Sequence, residues 1–257
     1  MRVRLRWISS VTLARVAFIA SVFSILELLC RLGVIDRVTM IPPSEMVSAL
    51  FDIIHSGRYN SDIVFTCYNT LAATGLAIWL GFFLGAALHA LPRLRRLLDP
   101  LLSAYYAIPT FVFYPLLVVV FGVGRTALIV MGAMFGVVAM IVNTVLGLDH
   151  VPPAVSRTGR ILKLDALRQL LLIRLPAAAP HLVSGVKLAV AYCVIGIVAG
   201  EFILATSGIG KRVAFAYDNF DNRTMYGLLL LLLMAVTVVN GCLSAWEKRL
   251  HRRFGQR

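Results

Sequence analysis

The chain of 257 residues is 60% hydrophobic and 14% charged, and its 25 Lys and Arg residues outnumber its 12 Asp and Glu residues. A net charge of +13 suggests nucleic acid or an acidic surface as partner, but a mean hydropathy of +0.86 leaves too little polar surface for a soluble globule. Disordered, collagen-like and small disulfide-stapled chains are excluded as well. What remains is an integral membrane protein whose charge lies outside the bilayer.

Six apolar stretches are long enough to cross a bilayer as helices. The first could be mistaken for a secretory signal because Arg2, Arg4 and Arg6 precede it, but it is too long, and we interpret it as an uncleaved helix. The sequence therefore predicts an all-α polytopic membrane protein, with residues 1–257 in a single transmembrane domain. The predicted spans are 11–33, 66–91, 101–122, 127–148, 182–204 and 226–246.

The basic residues predict the orientation of these spans. When the loops are assigned to alternating sides, 18 of the 25 Lys and Arg residues fall on the side of the two termini and 7 on the other. Cytoplasmic loops of membrane proteins carry such an excess. We therefore expect both termini in the cytoplasm.

Three connections between spans are more than turns, and one of them is the short basic cytoplasmic link 92–100. The outer segment 36–60 contains an amphipathic stretch with Ser44 as a plausible N-cap, which predicts an interfacial helix. In the inner loop 149–181, Pro152 and Pro153 can start a helix, Asp165 can cap a second one, and Pro176 can stop or kink it. The inner loop is either a docking element for a soluble partner or a solvated surface loop.

Polar residues and helix breaks inside a membrane span cost free energy. They therefore mark positions with a structural or functional role. Glu201 lies too far from Lys187 to pair with it, so we expect it to form an outer gate or receiving surface, or an ion pair with Lys211 or Arg212. Pro109 and Pro115 should interrupt the third span, and the aromatic residues around them either pack or contact solute. Gly81 and Gly85 should allow close helix contact. Lys187 can reach the headgroups.

The sequence contains no convincing catalytic or cofactor motif. Gly122-Val-Gly124 sits between two spans, and Gly208-Ile-Gly210-Lys211-Arg212 lacks both the first glycine and the Ser or Thr of a phosphate loop. We therefore expect that the chain is no enzyme and has no catalytic residues, no bound metal and no cofactor of its own.

Five stretches in order resemble one family. They are Ile41-Pro-Pro-Ser-Glu, Arg93-Leu-Arg-Arg-Leu-Leu-Asp-Pro-Leu, Ile108-Pro-Thr-Phe-Val-Phe-Tyr-Pro with Phe121-Gly-Val-Gly, Leu175-Pro-Ala-Ala-Ala-Pro-His, and Gly200-Glu-Phe-Ile-Leu-Ala-Thr-Ser-Gly-Ile-Gly210. Together they resemble the permease subunit of bacterial ABC importers, in the branch that handles nitrate, sulfonates and taurine.

The family signature lies in the long inner loop, where it forms a coupling helix that docks on the ATPase. Counting back from Leu175-Pro176 places Arg157 where the signature has Glu, and Lys163 where it has Gly. The spacing is kept, and we expect compensating acidic residues in the partner's groove. The coupling residues implied by the resemblance are Val155, Ser156, Arg157, Thr158, Gly159, Arg160, Leu162, Lys163 and Leu164.

The resemblance further implies a type I ABC importer permease fold in the bacterial inner membrane. Expected partners are a second permease subunit, as a homodimer or heterodimer, two ATPase subunits that carry ATP and Mg, and an extracytoplasmic solute-binding protein. The candidate path or gate residues are Tyr105, Tyr106, Pro109, Phe113, Asn143 and Glu201.

Two rival functions predict different features. A secondary transporter driven by an ion gradient needs ionisable groups near mid-membrane and inverted repeats, and the sequence shows few of the former and no clear repeat. An intramembrane enzyme needs a catalytic pair at matching depth, and no convincing pair is present.

Overall fold

The computed structural model describes residues 2–105, 107–152, 161–162 and 164–253 of the chain. This part is built of helices joined by short turns. Its ten α-helices are α1 (Arg2–Arg31), α2 (Pro43–Ser56), α3 (Asn60–Ala90), α4 (Pro92–Tyr105), α5 (Tyr114–Phe121), α6 (Arg125–Asp149), α7 (Ala166–Gln169), α8 (Leu175–Leu204), α9 (Ile209–Asp218) and α10 (Asn222–Arg253).

Five helical segments in the described part are long and apolar enough to cross a membrane. They are Leu13–Arg31, Asn60–Ala90, Arg125–Asp149, Leu170–Ile203 and Asn222–Arg249. A sixth candidate is a pair of helical pieces, Pro92–Tyr105 and Thr110–Phe121, that meet at an angle of 95°. The predicted all-α membrane class with about six spans is therefore confirmed.

The third predicted span, 101–122, is not a straight helix. A 3-10 turn over Thr110–Phe113 separates α4 from α5, and Pro109 precedes that turn. Pro115 does not interrupt a helix as expected, because it lies in the first turn of α5, where a backbone N–H has no intrahelical partner in any case. Only one of the two prolines therefore marks the break.

The helix of the fifth span begins earlier than predicted. A π-helical turn over Leu170–Arg174 leads directly into α8, so the helix that contains the predicted span 182–204 starts at Leu170. Pro176 lies in the first turn of α8 and does not stop the helix. Asp165 accepts a hydrogen bond from the Arg168 N–H at 3.2 Å, which is the capping role predicted for it.

The chain divides into two compact units. The first contains residues 1–60 and 212–233. Here α2 begins at Pro43, so Ser44 is not the N-cap. Instead, Glu27 of α1 accepts hydrogen bonds from the N–H (3.0 Å) and the hydroxyl (2.7 Å) of Ser44. A carboxylate from a neighbouring helix thus satisfies the first turn of α2.

The second unit contains residues 61–211 and 234–257, and glycines let its helices approach closely. A Cβ on Gly81 of α3 would lie 2.5 Å from Met140 Cβ of α6, and one on Gly85 would lie 2.7 Å from Thr144 Cβ. The predicted small-residue contact of α3 is therefore present. A Cβ on Gly136 of α6 would lie 2.5 Å from the Cys193 sulfur of α8.

Candidate functional site

The predicted coupling segment lies almost entirely outside the described residues. This holds for Val155, Ser156, Arg157, Thr158, Gly159, Arg160 and Lys163. Leu162 is described and 61% exposed, and Leu164 is half-buried. The coupling role of these residues stays a prediction.

A charged cluster surrounds Asp149, the first residue of the inner loop. Asp149, at the end of α6, accepts a hydrogen bond from Arg95 of α4 at 2.6 Å, and its other carboxylate oxygen lies 2.8 Å from Nδ1 of His89 at the end of α3. We call these three residues the Asp149 cluster. It joins three helices at the point where the inner loop begins.

The first residues of the inner loop also contact α8. The rings of His150, next to Asp149, and His181, on α8, have their centres 5.0 Å apart. Leu148 and Val151 pack with Ala178 in a small apolar core beside them. The first residues of the inner loop are therefore held against α8 within the second unit.

The described candidate path residues lie at different positions along the helices. The Tyr105 hydroxyl donates to the Met134 carbonyl at 2.7 Å, while Pro109 and Phe113 are exposed beside the break after α4. Asn143 donates to Ala139 within α6, and its Cβ would lie 2.7 Å from a Cβ on Gly185 of α8. Tyr106 lies outside the described residues.

Glu201 lies far from Asn143 along the same helix pair. Gly185, which Asn143 contacts, is 16 residues before Glu201 on α8, or about 24 Å at 1.5 Å per residue. Asn143 and Glu201 therefore cannot touch one small solute at the same time. A path that includes both would have to run along the bundle.

Glu201 is fully buried and accepts two hydrogen bonds through Oε2. The donors are the Thr66 hydroxyl at 2.8 Å and the Gly210 N–H at 3.0 Å. Among its described contacts there is no ion pair with Lys211, one of the two cations considered for it. The carboxylate serves the first turn of α9, where unpaired N–H groups favour negative charge.

Two residues of α3 complete this arrangement. The Asp62 carboxylate accepts the Gly208 N–H at 2.9 Å, and the Thr66 hydroxyl oxygen accepts the Ile209 N–H at 2.9 Å. Both side chains are buried. Asp62, Thr66 and Glu201, which we call the polar clamp, thus take the N–H groups of three successive residues, Gly208 to Gly210.

The segment held by the polar clamp needs its glycines. Gly208 has φ +110°, and a Cβ there would collide with the Glu201 carboxylate carbon and lie 2.5 Å from each of its oxygens. A Cβ on Gly210 would lie 2.5 Å from the Val198 carbonyl oxygen. The Gly-Ile-Gly sequence at 208–210 therefore fits the close approach of the Glu201 side chain.

Sequence reasoning missed Asp62 and Thr66, although a signal was available. Both lie four residues apart on one face of an otherwise apolar helix, and Asn69 continues that face one turn later. Asn69, the Tyr114 hydroxyl and Glu201 Oε1 are buried without a hydrogen-bond partner in the described part of the chain. The core around the polar clamp is therefore unusually polar.

Lys187 has a partner that the sequence did not indicate, and its reach to the headgroups stays a prediction. Its ammonium nitrogen lies 3.3 Å from Glu247 of α10, which accepts a hydrogen bond from Ser184 as well. Lys187 thus pairs with a carboxylate within the second unit. Among the described residues, no group of three or more His, Cys, Asp or Glu side chains is placed to hold a metal ion.

Comparison with known proteins identifies relatives of the chain. It is 27% identical over 262 residues to the taurine transport system permease protein TauC of Escherichia coli, an alignment that covers 97% of this chain and 93% of TauC. It is 29% identical over 143 residues to the nitrate import permease protein NrtB of Synechococcus elongatus, covering 56% of this chain and 51% of NrtB. The branch inferred from the five motifs is thus confirmed.

A solved structure has the same fold. The inward-facing MetNI methionine ABC transporter contains a chain that matches with a TM-score of 0.61 at 18% identity, covering 74% of this chain and 96% of that one. The family model of the binding-protein-dependent transport system inner membrane component matches residues 77–256. The chain therefore belongs to this family of inner-membrane ABC importer permeases and has the type I permease fold.

Proposed function

We propose that the chain is the membrane subunit of an ATP-driven importer and forms the path for a small organic or anionic solute. ATP hydrolysis takes place on two separate ATPase subunits, and an extracytoplasmic binding protein delivers the solute. The chain works with a second permease subunit, identical or homologous. It contributes no catalytic residue, and ATP with Mg binds only to the ATPases.

The family match over residues 77–256 carries this proposal. The geometry at the start of the inner loop supports it, because the end of α6 and the first loop residues pack against the N-terminal part of α8. Movement of a docked ATPase would act at this place and reach α3 and α4 through the Asp149 cluster.

The solute class follows from the relatives. The named relatives are permeases for taurine and for nitrate, and both solutes are small and carry an anionic group. We infer that this chain passes a solute of similar size and charge. Glu201 belongs to the machinery of the outer end of this path, where it holds the 208–210 segment.

The orientation follows from the basic residues, with both termini in the cytoplasm. An impermeant maleimide tests this assignment on intact cells carrying single cysteines in a cysteine-free chain. We expect Val38→Cys to react in intact cells and Arg96→Cys to react only after the membrane is opened. The reverse pattern would invert the topology.

The function is tested by purifying the tagged chain from its native membranes in mild detergent. We expect an ABC ATPase to co-purify, and one of taurine, nitrate or an aliphatic sulfonate, with its binding protein, to stimulate ATP hydrolysis. The matched control is the same complex without the binding protein. The absence of any associated ATPase would favour the secondary-transporter alternative.

A further inference from the structure

Three buried polar side chains in and beside the polar clamp carry atoms that have no hydrogen-bond partner in the described part of the chain. These atoms are both amide atoms of Asn69 on α3, the hydroxyl of Tyr114 on α5 and Oε1 of Glu201 on α8. None of the three residues has any exposed surface. We call these three residues the buried polar site.

Asn69 lies between two points at which α3 adjoins α8. At the first point, Thr66 donates to Glu201 at 2.8 Å. At the second, Ala73 and Ile197 belong to one apolar core and flank the same glycine of α6. Asn69 comes three residues after Thr66 and four before Ala73, which places all three on one face of α3. Asn69 is therefore on the face that adjoins α8, between the levels of Ile197 and Glu201.

Tyr114 brings α5 to the same place. Its side chain belongs to the apolar core that contains Ala73 and Ile197, one turn from Asn69 along α3. The Glu201 carboxylate is close enough to act electrostatically on the Tyr114 hydroxyl. Polar groups from three helices of the second unit therefore share one buried region.

The chemistry of the buried polar site restricts its ligand. A buried hydroxyl, amide or carboxylate oxygen costs free energy when it lacks a hydrogen-bond partner. A buried water molecule commonly makes about three hydrogen bonds to such groups. A water here can donate to Glu201 Oε1 and Asn69 Oδ1 and accept from the Tyr114 hydroxyl. The site thus supplies two acceptors and one donor, a set that suits one water molecule.

We infer that the buried polar site binds an ordered water molecule through Asn69, Tyr114 and Glu201. A divalent cation fits the site less well, because Mg²⁺ and Ca²⁺ take about six or more oxygen ligands. The water bonds the Glu201 oxygen opposite the one that accepts the Gly210 N–H, so it completes the hydrogen bonding of the carboxylate. The place of this water at the outer end of a transport path rests on the proposed function, whereas water binding does not.

Water binding is tested by X-ray hydroxyl-radical footprinting of the purified full chain in lipid nanodiscs. Irradiation of a bound water releases hydroxyl radicals beside its ligands, so a buried side chain that contacts the water is oxidised. We expect Tyr114 to be oxidised at a rate within about tenfold of that of Tyr217, which is 63% exposed, although Tyr114 has no exposed surface. A slower oxidation of Tyr114 would overturn the proposal.

The matched variants are Asn69→Leu and Asn143→Leu. Asn69→Leu keeps the side-chain size and removes both amide atoms, so we expect oxidation of Tyr114 to fall at least about fivefold and Tm to fall. Asn143 lies in a span of the same unit but donates to the Ala139 carbonyl at 2.8 Å. Its variant should leave oxidation of Tyr114 within about twofold of the original chain. Equal loss of oxidation in both variants, or a higher Tm for Asn69→Leu, would overturn the proposal, because removal of a truly unpartnered amide stabilises a fold.

The original chain distinguishes water from a metal ion without any variant. We expect the same oxidation of Tyr114 in sodium, potassium and choline chloride. A rate that changes with sodium or potassium would assign a monovalent cation to the buried polar site and overturn the water. These measurements use no ATPase and no solute, so their failure would leave the importer intact, and a chain without an associated ATPase could still bind the water.

Discussion

The Glu201 carboxylate has no exposed surface, and its contacts decide what it does. A buried carboxylate is costly unless hydrogen bonds satisfy it. Here the Thr66 hydroxyl and the Gly210 N–H do so at one oxygen. The residue thus acts first as a clamp on the segment before α9, and a contribution to gating would be exerted through that segment.

Removing this clamp should cost stability. Glu201→Ala leaves the Gly210 N–H buried without its acceptor, so we expect a loss of about 1–3 kcal/mol and a clear drop in Tm in detergent. The control is Glu45→Ala, which breaks an exposed pair with Arg37 and should cost less than about 1 kcal/mol. Equal losses in the two variants would contradict the structural role of Glu201.

Gly208 provides an independent test of the same geometry. At φ +110° a side chain is strained, and its Cβ would meet the Glu201 carboxylate, so Gly208→Ala should destabilise the chain by more than about 1 kcal/mol. Gly75→Ala is the control, because a Cβ there meets nothing within 4 Å in the interior of α3. It should raise Tm slightly or leave it unchanged. A neutral Gly208→Ala would show that the segment adopts another conformation.

The polar clamp was only half predictable from the sequence. Glu201 stood out because an acidic residue near the end of a span is rare. Asp62 and Thr66 share a polar face of α3 that the sequence shows, but they lie 139 and 135 residues before Glu201, so that face does not indicate which segment they hold. The expected partners were cations, whereas the structure supplies a hydroxyl and a backbone N–H.

At the scale of elements, prolines were the least reliable indicators of where a helix is interrupted. Of the prolines expected to break helices, Pro109 does so, whereas Pro115 and Pro176 sit in first turns. A first-turn proline costs little, because no intrahelical N–H bond is lost. Whether a proline falls within a helix or at its start depends on where the helix begins, and that is set by packing.

The Asp149 cluster predicts a measurable coupling between α4 and α6. A double-mutant cycle of Asp149→Asn with Arg95→Gln should give an interaction energy of about 1 kcal/mol, since the pair is partly shielded and 2.6 Å apart. Asp99 is the control, because it lies 3.8 Å from the same Arg95 and is more exposed. Its cycle should give a value close to zero. Equal values for the two cycles would contradict a special role of Asp149.

At the scale of the whole molecule, composition and periodicity predicted the membrane class, because apolar stretches of this length are typical of helices that cross a bilayer. The bend of 95° after α4 and the start of the fifth-span helix at Leu170 were not predictable from hydropathy. Hydropathy records which residues are apolar and is insensitive to the path of the backbone.

Arg157 and Lys163 stand where the family signature has Glu and Gly, and their effect on docking stays a prediction from the sequence.

The central claim is that ATP hydrolysis on partner subunits drives transport through this chain. The energy source of uptake tests this claim most directly. The purified complex is placed in liposomes with its binding protein, and uptake of labelled taurine, nitrate or an aliphatic sulfonate is measured. We predict uptake that requires ATP and Mg on the side of the ATPases and that persists when ionophores collapse every ion gradient. Uptake that proceeds without ATP and stops with the ionophores would contradict the account.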